Sequence, residues 1–237
     1  MADVVALRDE TPTARTIRLR LPMAVHFLAG QHVDIRLTAP DGYQAVRSYS
    51  VAGTSPEGEL EITVEELPDG EVSPYLVRDV GVGDQLEVRG PVGGWFVWRP
   101  EETAPVQLIG GGSGVVPLMA MVRAHQATGH RAPIRLLYSV RSPESIFFRD
   151  ELDALASSSE TFQLRYVYTR KAPEGTPVGR LDAETVEASV LNNGSDPSVY
   201  ICGATGFVEA VSGWLVDLGH APERIKTERY GGLGGGS

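Results

Sequence analysis

The sequence predicts two domains, an N-terminal antiparallel β-barrel followed by an α/β domain built on a parallel sheet, and three observations carry that reading. From residue 4 to about residue 98 the chain is a series of short β-branched and apolar runs broken by glycine, proline and aspartate. Beyond Pro100 short apolar strands alternate with longer segments of helical periodicity, as βαβ units do. Between the two patterns lies RPEETAP, residues 99–105, rich in proline and charge. These divide the chain into residues 1–100, residues 101–230 and a Gly-rich tail, 231–237.

In the first part the strands are expected at TIRLRL (16–21), HVDIRLTA (32–39), RSYSVAG (47–53), LEITVEEL (60–67) and DQLEVRG (84–90). Their regular spacing and turn-forming separators are those of an antiparallel sheet or barrel. In the second part the strands are VQLIG (106–110), IRLLYSV (134–140), FQLRYVYTR (162–170) and SVYICG (198–203). Helices are expected over 115–128, 147–157, 182–191 and 206–219. Asp182 stands at the start of the third as an N-cap, with Glu184 in the first turn where the helix dipole favours acid. No internal repeat is present, and the tail GGLGGGS reads as a flexible terminus or an appended tag.

Composition removes several classes of function. At 237 residues the chain has room for two cores, and although 42% of it is hydrophobic, no apolar run reaches the length of a membrane span. The N-terminus, MADVVALRDETPTARTIRLR, is acidic early and has no secretory pattern, so a cytoplasmic location is expected. Cys202 is the single cysteine, which excludes an internal disulfide and a zinc or iron–sulfur site made of thiolates alone. A net charge of −10 opposes binding to nucleic acid, although Arg15, Arg18, Arg20, Arg36 and Arg47 crowd the first fifth of the chain. The oligomeric state is left open, a monomer included.

The most informative segment is VQLIGGGSGVVPLMAM, in which an apolar strand runs into Gly110, Gly111, Gly112, Ser113 and Gly114 and a helix follows. A pyrophosphate needs backbone amides without Cβ atoms in the way, and a helix N-terminus supplies those amides and positive potential. Pro117 suits the first helical turn, where its missing N–H would have no intrahelical partner. The loop is neither GxGxxG nor GxxxxGK[ST], and no lysine follows it, which argues against an ATPase.

Three motifs therefore stand in order along the two-part layout: Arg47-Ser48-Tyr49-Ser50, then GGGSGVVP at 110–117, then Cys202-Gly203-Ala-Thr-Gly-Phe207. With them the chain resembles the ferredoxin–NADP reductase family of flavoproteins over nearly its whole length. The resemblance implies that Arg47 pairs with a flavin phosphate, Tyr49 covers the flavin ring and Ser50 sits near its reactive nitrogen. A guanidinium recognises phosphate oxygens bidentately and an aromatic face covers a flat apolar ring, so the residue types suit those roles. Gly70, Glu71, Val72 and Ser73 resemble the family's second flavin-phosphate loop, with the Glu71 carboxylate set close to the proposed phosphate. Cys202 would shape the nicotinamide pocket beside Gly203 and Phe207. In the terminal segment KTERY, Glu228 would stand near the flavin and Tyr230 at its edge. Ser50, Cys202, Glu228 and Tyr230 are thus the catalytic candidates.

Ser139, Arg141 and Arg149 follow the second strand of the nucleotide half and resemble the 2′-phosphate segment of NADPH-using relatives. An acid would instead be expected there for NAD, so NADPH is favoured over NADH. FAD is favoured over FMN because most of the family uses it. The resemblance implies hydride transfer from nicotinamide to flavin, and then electron transfer to an external acceptor such as a ferredoxin, a redox-enzyme subunit, or free flavin or quinone. The alternatives are an NAD(P)H:flavin reductase that releases reduced flavin, and a non-catalytic flavin-binding electron-transfer subunit.

Overall fold

The computed structural model describes residues 1–55 and 57–230, so the Gly-rich tail expected at 231–237 lies outside the described residues. Six strands, β1 (Ala2–Thr11), β2 (Ala14–Arg20), β3 (His32–Thr38), β4 (Gln44–Thr54), β5 (Leu60–Glu65) and β6 (Gln85–Val92), close a barrel in the order β1-β2-β5-β4-β3-β6. Every neighbouring pair in it is antiparallel. Alternate residues point inward, so Ile17, Leu19, Val33, Ile35, Val51, Ile62 and Leu86 form its buried interior. A short wide-turn helix, Tyr75–Asp79, lays Leu76 over one end of the barrel. Burying one such side chain contributes about 2 kcal/mol.

The second half is a five-stranded parallel sheet of β7 (Val106–Gly111), β8 (Ile134–Val140), β9 (Phe162–Tyr168), β10 (Ser198–Ala204) and β11 (Ile225–Tyr230), in the order β11-β10-β7-β8-β9. Its helices are α1 (Val115–Ala127), α2 (Arg149–Ser158), α3 (Ala183–Glu187) and α4 (Thr205–Asp217). Strand order reverses between β7 and β10, and in open parallel sheets the crevice at such a switch point is where ligands bind. The Asp182 side chain caps α3 by accepting from Thr185 N at 2.8 Å. This helix stops short of the expected residue 191. Its end is pulled out of register because the Leu191 N–H is taken by the buried Gln107 Oε1 at 2.8 Å.

Helix α1 is buried from Val115 through Val122, because the sheet covers one side and the barrel, mainly β4, the other. A helix enclosed in this way is apolar all round. At its far end Arg123 crosses to the barrel, donating to Ala52 O at 3.1 Å and Glu61 Oε2 at 2.9 Å, and it also pairs with Glu151 of α2 at 2.6 Å. Behind the linker, Tyr200 Oη and Lys226 Nζ both donate to Val97 O, at 3.0 and 3.1 Å. Barrel and sheet halves are thereby tied together at two places.

Candidate functional site

The cleft opens where β4 and β5 of the barrel face the carboxyl ends of β7, β10 and β11, and it encloses about 490 Å³. That size lies within the roughly 300–1,000 Å³ usual for cofactor sites. The parallel register of β10 with its neighbours sets Cys202 between Gly110 of β7 and Glu228 of β11. Strand pairing in the barrel sets Tyr49 beside Val33 and Ser50 beside His32. The structure thus brings together Arg47, Ser48, Tyr49, Ser50, Gly70, Glu71, Val72, Ser73, Ser113, Pro117, Cys202, Glu228 and Tyr230 from segments far apart in the chain.

One part of the cleft is polar and carries both signs of charge. Arg47 is half exposed there, with Nη2 2.5 Å from Glu71 Oε2 and Nη1 donating to Val46 O at 2.8 Å. Ser48 Oγ donates to Asp34 at 2.6 Å. Ser73 Oγ accepts from Leu67 N at 3.0 Å, and a Cβ on Gly70 would come within 2.8 Å of that oxygen, so glycine is what lets the loop close on Ser73. Tyr49, Leu67, Val116 and Pro117 give the cleft an apolar wall. Burial pushes the Tyr49 hydroxyl up to about 12, so it stays protonated.

The far end holds a thiol and a carboxyl. Cys202 is buried, with Sγ 4.0 Å from Glu228 Oε2. Burial, and secondarily the Glu228 charge, push the thiol well above its ordinary value, so it is neutral and a poor nucleophile. Burial also pushes Glu228 up to about 7, where an ordinary glutamate stands at 4.5. A carboxyl raised in the folded state binds its proton more tightly than in the unfolded chain. The resulting stability is complete below 4.5 and is lost as pH rises through about 7. Glu228→Gln is therefore expected to match the wild type in acid and to exceed it by about 3 kcal/mol well above that midpoint. Thermal unfolding at several pH values checks this, and an equal difference at every pH would contradict it.

The glycines of the loop have packing as well as access to explain them. Gly112 has a left-handed φ of +56°, and a Cβ there would lie 3.1 Å from Tyr230 Oη, whose hydroxyl donates to Gly111 O. Phe207, at the start of α4, lies over two glycines, and an added Cβ would meet its ring at 3.1 Å from Gly111 and 2.7 Å from Gly203. A Cβ on Gly114 would run into the Cys202 carbonyl. Tyr230 thus lies across the loop with its ring partly exposed.

The nucleotide-side candidates are spread more widely. Ser139 is buried at the end of β8 beside Gly111, and Arg141 is exposed just beyond it. The Arg141 carbonyl accepts from Arg170 N at 2.9 Å and Lys171 N at 3.1 Å, while the Lys171 ammonium pairs with Glu144 at 2.8 Å. Arg149 goes elsewhere: it lines a separate recess with Arg8, Asp9 and Glu10 and sits 3.8 Å from Asp153. Phe148, in a left-handed conformation with its N–H on Glu10 Oε2 at 2.8 Å, turns the chain there.

His32, Thr63, Glu65, Val116 and Arg229 also line the cleft, and motif reading did not single them out. They enter through strand and helix neighbours. Among the described residues no helix is long and apolar enough to cross a membrane, and no cluster of three or more His, Cys, Asp or Glu side chains forms a metal site.

Comparison with known proteins agrees with this architecture. Residues 2–97 match the oxidoreductase FAD-binding domain, and residues 108–213 match the oxidoreductase NAD-binding domain. The ferredoxin–NAD(P)+ reductase component of the naphthalene 1,2-dioxygenase/salicylate 5-hydroxylase systems of Ralstonia sp is 30% identical over 228 residues, covering 96% of this chain and 67% of that protein. NADH-cytochrome b5 reductase 1 of Pyricularia oryzae is 30% identical over 234 residues, covering 92% of this chain and 75% of that one. The FAD/NAD-binding domain of the Vibrio cholerae nitric oxide dioxygenase superposes with a TM-score of 0.87 at 25% identity, over 97% of this chain and 98% of that one. Domain models on both halves and relatives along nearly the whole length lead to one assignment: the chain belongs to the ferredoxin–NADP reductase-like family and is an FAD-dependent NAD(P)H oxidoreductase.

Proposed function

We propose that residues 1–100 hold FAD, that residues 101–230 take NADPH in preference to NADH, and that electrons leave to a separate acceptor, a ferredoxin or redox-enzyme subunit. The observation that carries this reading is the single cleft joining Arg47, Tyr49 and Ser50 of the barrel to Cys202, Glu228 and Tyr230 of the sheet. Arg47, the apolar wall around Tyr49, and the Cys202–Glu228 pair suit a phosphate-bearing tail, a planar ring and the ring's reacting edge. Bound FAD supplies the chemistry, taking hydride from the nicotinamide nucleotide and releasing electrons onward.

The chain's own residues bind, orient and shield. Arg47 would grip phosphate, and the backbone of Gly70–Ser73 would complete that cradle. The Tyr49 ring walls the cleft, and the Ser50 hydroxyl offers a hydrogen bond at its inner edge. Cys202 fills the nicotinamide side without acting as a nucleophile. Glu228 holds a proton on its carboxyl near neutral pH, which is where a group exchanging protons with the site is most effective. Tyr230 screens the loop from water. With one cysteine these residues cannot hold a thiolate-bound iron–sulfur cluster, so an iron–sulfur acceptor is sought in another polypeptide. A cytoplasmic location agrees with that free thiol.

The exposed Arg141 just past the end of β8 supports NADPH. Its guanidinium would meet the 2′-phosphate, whereas NADH offers only a hydroxyl there. Arg141→Ala is expected to raise KM for NADPH about tenfold and to leave KM for NADH within about twofold, as loss of one charge-assisted contact does. Steady-state kinetics with both nucleotides and ferricyanide as acceptor measures this. Equal effects on the two would contradict the NADPH assignment.

A further inference from the structure

Arg123, in the last turns of α1, meets both halves of the molecule with one side chain. Its Nη1 donates to Ala52 O and Glu61 Oε2 of the barrel, while Nε and Nη2 hold the two carboxylate oxygens of Glu151 on α2 at 2.8 and 2.6 Å. The guanidinium also lies 5.2 Å over the Phe148 ring, at the left-handed turn that starts α2. Its planar fork bridges acceptors on three elements, which the single ammonium of a lysine does not reproduce. Only 20% of the side chain is exposed, so water does not stand in for these partners. The contacts fall beside the segments that carry the site. Ala52 follows Ser50 closely on β4, where the register shifts between Val51 and Gly53, and a Cβ on Gly53 would come within 3.0 Å of Arg123 Nη1. Glu151 and Phe148 follow the segment that carries Arg141. At its other end α1 begins at the glycine loop, about 12 Å away along the helix axis at about 1.5 Å per residue.

We propose that Arg123 is a positioning residue for hydride transfer, setting the spacing between the barrel strand that carries Tyr49 and Ser50 and the sheet edge that carries Cys202. This rests on the flavin reading above. The hydride leaves the nicotinamide carbon with its electron pair, oxidising the nucleotide and reducing the flavin, so the step needs the two reacting atoms held in near-contact. A misplacement of about 1 Å lowers such a rate by about a hundredfold. Arg123 touches neither reacting group. It acts through β4, which it holds at the Ala52 carbonyl and through Glu61 of the neighbouring β5, and through α2, which it holds at Glu151. Helix α1 is then a rigid rod with the glycine loop at one end and a clamp on the barrel at the other. Glu61 Oε1 also accepts from Arg18 Nη2 at 3.1 Å, so this buried carboxylate keeps a cationic partner when Arg123 is replaced.

The test uses Arg123→Met, which keeps an apolar stem and removes every N–H, and Glu151→Gln, which loosens the clamp at its more exposed end and carries the test if the first variant does not fold. In flavin-free protein, nitroxide labels on Val82→Cys in the barrel half and Val216→Cys on α4, both exposed positions, report the distance between the halves by pulsed electron spin resonance. The native thiol of Cys202 is buried and stays unlabelled. A narrow distance distribution is expected with Arg123 present, and a broader one in both variants. In FAD-loaded protein, the rate of flavin bleaching at saturating NADPH is expected to fall at least about tenfold in Arg123→Met, with the half-saturating NADPH concentration within about twofold of the wild type. Glu151→Gln should show a smaller fall of the same kind. An unchanged distance distribution would overturn the proposal, and so would a rate that falls only through weaker NADPH binding. If the wild type takes up no flavin, the flavin reading fails, and the label distances still decide whether Arg123 holds the two halves in register.

Discussion

Arg47→Ala is expected to lower FAD affinity by about a hundredfold while leaving the unfolding midpoint where it was. The loss corresponds to one or two charge-assisted hydrogen bonds to phosphate, each contributing about 1.5–3 kcal/mol. The fold is spared because Arg47 touches only the Val46 carbonyl and Glu71, and both members of that pair are about half exposed. Ion pairs of that kind contribute about 0–1 kcal/mol to stability. Gel filtration of the FAD-loaded variant, with absorbance read at the protein and flavin bands, and a denaturant titration of the flavin-free protein measure the two halves of the claim. Full flavin retention would remove Arg47 from the phosphate site. Loss of folding would mean that the arginine has a structural task its contacts do not reveal.

Gly114→Ala is expected to cost about 3 kcal/mol of stability, and the reason is backbone against backbone. Gly114 has an ordinary helical φ of −61°, so conformation is not the obstacle. The obstacle is the Cys202 carbonyl on β10, which the new methyl group would strike. Relief requires α1 to lift away from the sheet at the switch point, and α1 is the helix on which barrel and sheet both pack. Nucleotide affinity should therefore fall together with stability. Gly213→Ala is the matched control: Gly213 lies in the middle of α4 with open space around its Cβ direction, and alanine there should stabilise by about 1 kcal/mol. Urea unfolding of both variants separates the cases. Equal and small effects would mean that the approach of α1 to β10 is looser than the structure has it.

The layout was legible in the sequence where local periodicity decides it. The run IRLLYSV is β8 from end to end, and RSYSVAG lies within β4. Strand β1 was not singled out because its second half, RDET, is polar and two irregularities break its alternation, between Val4 and Ala6 and between Asp9 and Thr11. The expected helix over 182–191 was too long because the capture of Leu191 by Gln107 is a contact across 84 positions, which no local pattern encodes. In the cleft, Arg47, Tyr49, Ser50 and Cys202 announced themselves through motif and spacing. His32 and Thr63 did not, since they reach the site through pairing partners, His32 opposite Ser50 and Thr63 opposite Thr16. Arg149 was grouped with Arg141 because both flank one loop, but the left-handed turn at Phe148 directs it to the β1 side.

The central claim is that one cleft holds a flavin which a nicotinamide nucleotide reduces. An anaerobic titration of the FAD-loaded protein with NADPH, and separately with NADH, tests it through the visible flavin band. Rapid bleaching by NADPH, with slower bleaching by NADH, is the expected result. A protein that takes up neither FAD nor FMN, or a flavin band that neither nucleotide bleaches, would contradict it.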